Sequence, residues 1–208
     1  MIWNDHSKLV GTHALLSPSS SHTWLNYTED KLYSVNASNW AKTIGTILHE
    51  MAADLIKNRI RLNKTDRHMV LFELVRKNVP VEVIDVDLIF TNFQNYVNDA
   101  IMYHMDPEVV LYVSPQCFGT ADSIIFYDNT LRIHDLKTGS TPAHIEQLET
   151  YAALFCSEYK FKPSEISIEL RLYQNNDIIV CTPDPSDIVT IMDIISKDSK
   201  LLENWNQK

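Results

Sequence analysis

Neither a secretory start, nor a membrane span, nor a cysteine framework can be read in this chain. Its first twenty residues, MIWNDHSKLVGTHALLSPSS, lack a basic start followed by an apolar run. No apolar stretch approaches the roughly 20 residues that a membrane helix needs. The expectation is a soluble, cytoplasmic protein, in a bacterial cell or a phage-infected host, with no membrane partner. Cysteine is scarce: Cys117, Cys156 and Cys181 are far apart and odd in number. They offer neither a disulfide framework nor a Cys-x-x-Cys metal site. Glycine is scarcer than in any low-complexity chain, with four among 208 residues, while 45% of the chain is apolar. That composition describes a globular protein with a sizeable core. Net positive charge is missing too, and a formal charge of −9 argues against a sequence-independent nucleic-acid glue, which is normally basic.

The charge that is present is unevenly placed. Between Lys57 and Lys77 stand seven basic residues (Lys57, Arg59, Arg61, Lys64, Arg67, Arg76, Lys77) against the two acids Asp66 and Glu73, so this stretch carries +5 and the remainder −14. A local basic stripe on an acidic body suits a protein that touches a polyanion in one place. A solvated helix face produces the same pattern.

Periodicity supplies the outline of the fold. From Thr43 to Arg59, Ile44, Ile47, Leu48, Met51 and Leu55 recur at helical spacing, with Thr43 or Ser38 available as a cap. A second helix is expected from about Asp87 to Met105, after VPVEVI. The region from about Val109 to Lys137 is rich in β-branched residues and tyrosine and reads as strands. STPAHIEQLETYAALFCSEY reads as a helix with Thr141 at the cap and Pro142 at the first helical position. ISIELRLYQ and IIVCT, joined by NND, read as a hairpin, and a helix from about Pro185 to Trp205 follows. The fold class is α/β: a mixed central β-sheet flanked by helices, with an N-terminal helical part. We expect one domain over 1–208, helical to about 107, a sheet core over about 108–182 and a C-terminal helix over about 185–205.

Within that outline GTADSIIFYDNTLRIHDLKTGS, residues 119–140, holds an anomaly. It reads as a hairpin turning at Asp128 and Asn129, which sets Tyr127 against Thr130 and Asp122 opposite Asp135. Alternation puts Asp135 and Lys137 on one face and Leu136 on the other. Two facing carboxylates repel unless a cation sits between them. An all-oxygen site of this kind suits Mg²⁺ or Mn²⁺, and a lysine beside it can hold a water or stabilise developing negative charge. Edge acids with Lys137 as their salt-bridge partner would give the same spacing.

The hairpin resembles the active-site hairpin of the PD-(D/E)XK nucleases, particularly their RecB-like branch. That branch carries, in order, Gly-x-x-x-His on an early helix, Gly-x-x-Asp, Asp-x-Lys on the next strand and Gln-x-x-x-Tyr on the following helix. This chain has Gly45 and His49 in GTILHE, Asp122 in GTAD, Asp135 and Lys137 in DLK, and Gln147 and Tyr151 in QLETY. The resemblance runs from about Leu15 to Phe155 and implies a restriction-endonuclease-like core. It also implies a metal site made by Asp122, Asp135, the Leu136 backbone carbonyl and His49. Gln147 and Tyr151, four apart and so on one helix face, would position the nucleic-acid backbone. Glu50 and Glu108 are secondary candidates for the same site. In several relatives a stretch like HALLSPSSSHTWLNYTED continues into a cysteine that ligates an iron–sulfur cluster. Here Tyr27 and Thr28 occupy that neighbourhood, and three cysteines cannot complete a four-cysteine cluster, so no iron–sulfur centre is expected.

The resemblance thus implies a Mg²⁺- or Mn²⁺-dependent deoxyribonuclease, exonuclease or endonuclease, acting on single- or double-stranded DNA. Lys137 would orient the attacking water or accept its proton. The basic residues Lys57, Arg59, Arg61 and Lys64 would guide the strand. A homo-oligomer, or a recombination or replication protein, is the expected company. A catalytically silent nucleic-acid-binding or protein-interaction domain of the same fold is the alternative, and a hydrolase of another phosphate ester is a third.

Overall fold

The structure is a computed structural model that describes residues 5, 7–9, 14–139 and 144–206. Thr141 and Pro142, the expected cap and first residue of a helix, lie outside the described residues. The elements in chain order are α1 (Ser21–Trp24), α2 (Glu29–Lys57), α3 (Arg67–Arg76), α4 (Val86–Met102), β1 (Asp106–Ser114), β2 (Cys117–Tyr127), β3 (Thr130–Leu136), α5 (Glu146–Tyr159), β4 (Ser167–Gln174), β5 (Asp177–Cys181) and α6 (Pro185–Asn206). Among the described residues no helix is long and apolar enough to cross a membrane.

Helix α2 begins at Glu29, well before the expected start near Thr43. Its cap is Thr28, whose side chain accepts from Lys31 N at 3.2 Å, and Glu29 and Asp30 complement the helix dipole in the first turn. No residue before Ile44 is fully buried, so the first half of the helix leaves no amphipathic signature in the sequence. The helix stops in a left-handed residue, Arg59 (φ 57°), with Ile60 N–H returning to Leu55 O at 2.9 Å.

The five strands lie in the order β1-β2-β3-β4-β5. Only β3 and β4 are parallel; the other neighbours are antiparallel. The parallel step needs a crossover, which α5 supplies. The hairpins joining β2 to β3 and β4 to β5 turn on left-handed pairs, Asp128–Asn129 (φ 49° and 58°) and Asn175–Asn176 (φ 52° and 60°). Two consecutive positive φ values match the right-handed twist of the flanking strands, and Asp and Asn tolerate that region best after glycine. The expected register follows: Tyr127 pairs with Thr130 and Phe126 with Leu131.

Two cores sandwich the sheet. On one face α2, α3 and α4 bury Leu48, Ile56, Leu74, Phe93 and Tyr96 against Leu136 and Tyr173. On the other, Leu148, Ala152 and Phe155 of α5 and Ile188 of α6 pack on Leu131, Ile133, Leu170 and Leu172. Leu131 and Ile133 face α5, whereas Leu136 faces α4, so alternation sends Asp135 toward α5. A polar network locks α4 to the sheet. Tyr173 donates to Asp99 at 2.8 Å, Arg171 donates to the Tyr103 hydroxyl at 2.8 Å, and the wholly buried His134 lies 3.3 Å from the Tyr173 hydroxyl. Burial and the charges of Arg171 and Arg132 lower the His134 pKa to about 3, so it stays neutral.

Candidate active site

The β2–β3 ladder ends at Ser123 and His134, one rung short of the two acids expected to face each other. Beyond that rung the Leu136 N–H donates to Asp122 Oδ2 at 2.9 Å. The β1–β2 ladder is also interrupted there, between the pairs Pro107–Ser123 and Val109–Ala121. The residue left out on β1 is Glu108, which holds φ at 55°. A non-glycine residue pays for that region in strain, and such residues cluster at functional sites.

The result is a cluster that draws on three elements. His49 Nδ1 of α2 lies 3.3 Å from Asp122 Oδ2. One donor atom from each of His49, Glu108 and Asp122 lies within 4.8 Å of the others. Burial alone would lower the His49 pKa, but the hydrogen bond and charge of Asp122, with Asp135 and Glu108 behind it, outweigh burial and raise it. Burial and the Asp122 charge raise the Glu108 pKa, with His49 opposing. Three acids crowding one imidazole, with one carboxylate held on a strained backbone, leave negative charge that lacks a full counter-charge.

Asp135 lies beside this cluster, 2% exposed. Lys137 Nζ approaches its Oδ2 at 2.9 Å and donates to its Oδ1 at 3.1 Å. The Oδ2 contact is an ion pair without hydrogen-bond geometry, so this buried oxygen has no hydrogen-bond donor. Burial and Asp122 push the Asp135 pKa up to about 6, against the pull of Lys137 and His49. One imidazole nitrogen and two carboxylates, beside a third carboxylate with a donor-free oxygen, form a donor set fit for Mg²⁺ or, with its nitrogen, Mn²⁺.

Helix α5 closes the other side. Lys137 Nζ donates to Gln147 Oε1 at 2.8 Å. Tyr151 stands one turn further on, half-buried; burial chiefly raises its pKa, and a hydrogen bond with Gln147 opposes the shift. Its ring lies on Gly119: a Cβ there would sit 2.9 Å from Tyr151 Cε1. Gly119 is therefore glycine because the tyrosine occupies the space of its side chain. The same reasoning links Gly45, whose added Cβ would lie 3.0 Å from Thr138 Oγ1, to the end of β3. We expect Gly119→Ala to displace Tyr151, lowering stability in urea by about 1–2 kcal/mol and any DNA cleavage by about tenfold. Unchanged cleavage would show that the tyrosine's position is immaterial.

A groove of about 870 Å³ opens over the cluster, lined by Lys42, Thr46, His49 and Asp54 of α2 and by Glu108 and Asp122 of the sheet. The structure thus gathers His49, Asp122, Asp135, Lys137, Gln147 and Tyr151 around one locus. Glu50 lines the groove but extends to Lys77 at 3.6 Å. The basic stretch is dispersed. Arg67 pairs with Asp87 at 3.0 Å, Arg76 with Glu73 at 2.6 Å, and Arg59 donates to Met105 O at 3.4 Å. Lys57, Arg61 and Lys64 remain exposed, but none of them lines the groove. Lys42, which does, carries no signal in the sequence beyond being one more helix-surface lysine. Glu108, a secondary candidate from the sequence, stands within β1 and joins His49 and Asp122 in the cluster.

The chain belongs to the family described as "Protein of unknown function (DUF2800)", which matches residues 13–160. No curated protein and no solved structure matches it.

Proposed function

We propose that this chain, a member of a family whose description assigns no activity, is a divalent-metal-dependent DNA nuclease of the PD-(D/E)XK type. The observation that carries the reading is the single locus formed by His49, Glu108, Asp122, Asp135 and Lys137, gathered from α2 and three adjacent strands. Asp122, Glu108 and His49 would hold the ion, with Asp135 and the Leu136 carbonyl as further oxygen donors. A bound Mg²⁺ or Mn²⁺ supplies Lewis acidity and neutralises charge on the scissile phosphate.

The chain's own groups do the rest. Lys137 has three N–H bonds. Asp135 and Gln147 take two of them, at 3.1 and 2.8 Å, which aims the third. That N–H holds the attacking water or a phosphate oxygen where charge develops. Gln147 thereby orients Lys137, and Tyr151 stands one turn further along α5. Tyr151 and Gln147 flank the path of the strand. We expect Gln147→Ala to lower cleavage by about 10- to 100-fold while leaving metal affinity within about threefold, because it removes a support and no ligand. Cleavage kinetics alongside a Mn²⁺ titration check this; a parallel loss of both would place Gln147 on the ion.

The direct test is a digestion time course with Mg²⁺ or Mn²⁺ on end-labelled linear duplex, covalently closed circle and single strand. Metal-dependent phosphodiester hydrolysis is expected, and attack on the circle distinguishes endonuclease from exonuclease. A chain that binds DNA yet leaves every substrate intact with either metal would be a silent binding domain, and the nuclease reading would be abandoned.

A further inference from the structure

The metal-ligand candidates do not stand alone on the β1–β2 ribbon. Counting outward along its register, the gap at Glu108 and Asp122 is followed by Val110 paired with Thr120 and then by Tyr112 paired with Phe118. Leu111, between them on β1, is buried toward α5, its partner Gly119 lies against Tyr151 of α5, and Ala121, next to Thr120 on β2, is buried on that same side. Val110, Thr120, Tyr112 and Phe118 therefore occupy the opposite face. That face is open: Val110 is 55%, Tyr112 46% and Phe118 62% exposed. The Tyr112 and Phe118 rings lie near-parallel, with centroids 6.5 Å apart and an interplanar angle of 28°. Two rungs of the ribbon place them about 14 Å from Asp122.

The contacts of α2 show what faces this end of the ribbon. Gly45 meets Thr138, His49 meets Asp122, and Arg59 reaches Met105 just before β1. Helix α2 thus runs from the ribbon's tip toward its base. Lys42, before Gly45, lies toward the tip, on the aromatic side of the cluster, and the exposed Lys57, Arg61 and Lys64 toward the base. Lys42 is exposed, and among the described residues it is the one lysine or arginine lining the groove.

We infer that this face is a platform for single-stranded nucleic acid: unpaired bases stack on Tyr112 and Phe118, and Lys42 contacts the backbone as the strand runs to the cluster. The choice of ligand rests on the nuclease reading. Unpaired bases present π-faces that stack on aromatic side chains without sequence preference, whereas a duplex keeps those faces stacked inside itself. A strand added from another protein is less suited, because at the β1 edge the Tyr112 N–H is already taken by Glu158 Oε2 at 2.8 Å. Both rings stand largely in solvent, so their removal leaves the core intact.

The test is fluorescence anisotropy with the full chain and Ca²⁺, using a labelled oligothymidine strand and a blunt duplex of equal length. Tyr112→Ser/Phe118→Ser is expected to weaken single-strand binding about 10- to 100-fold and duplex binding less than about threefold, with Phe118→Trp binding as wild type. Lys42→Ala is expected to flatten the salt dependence on the single strand by about 0.7 in log–log slope. Wild type that fails to bind the single strand, or a double variant that weakens both ligands equally, overturns the platform. So does a double variant that turns a dimer into a monomer without altering single-strand binding, since the face would then be a self-interface. Cleavage separates this inference from the nuclease reading. Wild type that binds through the aromatic pair but cuts nothing leaves the platform standing and the nuclease fallen; a double variant that binds and cuts single strands normally does the reverse.

Discussion

Lys137→Met is expected to lower DNA cleavage by at least about 10³-fold at saturating Mn²⁺, with DNA affinity within a few-fold of wild type. The ammonium is seated between the buried Asp135 and Gln147, at 2.9 and 2.8 Å. A methionine fills the same volume but donates nothing to an attacking water or a phosphate oxygen. The loss should therefore fall on the rate of the chemical step rather than on binding. Single-turnover cleavage with equilibrium binding of the same duplex makes the separation. Retention of more than about a tenth of the wild-type rate would remove Lys137 from the chemistry and leave the hairpin as scaffolding. The substitution should also destabilise the chain, because it strips a buried carboxylate of its partner.

Asp135→Asn carries the second large effect, and its sign is opposite for stability. The Asp135 carboxyl, 2% exposed and beside Asp122, titrates at about 6 instead of the ordinary 3.8. The folded chain thus binds a proton there more tightly than the unfolded chain does. With metal removed, wild type should lose stability as pH rises through the window between those two values. The shift corresponds to up to about 3 kcal/mol at neutral pH. Asparagine carries no charge to desolvate, so the variant should exceed wild type by up to that amount in EDTA at neutral pH. That is a rise in Tm of roughly 5–10 °C. The advantage should vanish below pH 3.8, where Asp135 is protonated in both states. Mn²⁺ should raise wild-type stability more than that of the variant, and DNA cleavage by the variant should be lost. Urea titrations in EDTA on both sides of the window decide it: a variant less stable than wild type at neutral pH would mean that the Lys137 pair outweighs the burial of the charge. Combining Asp135→Asn with Lys137→Met should restore stability without restoring cleavage.

These two residues illustrate how unevenly the site is written in the sequence. The hairpin was legible because its determinants are local. Asp128 and Asn129 accept positive φ, and a two-residue turn sets the register from Tyr127–Thr130 up to Ser123–His134. The pairing of Lys137 with Asp135 follows from alternation alone. Gln147 and Tyr151 share a helix face for the same kind of reason. The start of α2 escapes the periodicity because no residue of its first half is fully buried, and periodicity registers burial.

Sequence by itself determined the α/β order of elements, the turn, the shared face of Asp135 and Lys137, and the candidate residues from His49 to Tyr151. Tertiary structure alone decided that the ladder stops one rung before Asp122 and that Glu108 turns through a left-handed φ into the cluster. It alone set Tyr151 against Gly119. It also spent much of the basic stretch on ion pairs at Glu73, Asp87 and Glu50, and left Lys42 in the groove. The reason is physical. Periods of 2 and 3.6 residues state which way a side chain points from its own element, whereas the distance between two elements depends on how their apolar faces pack, and no local pattern encodes that.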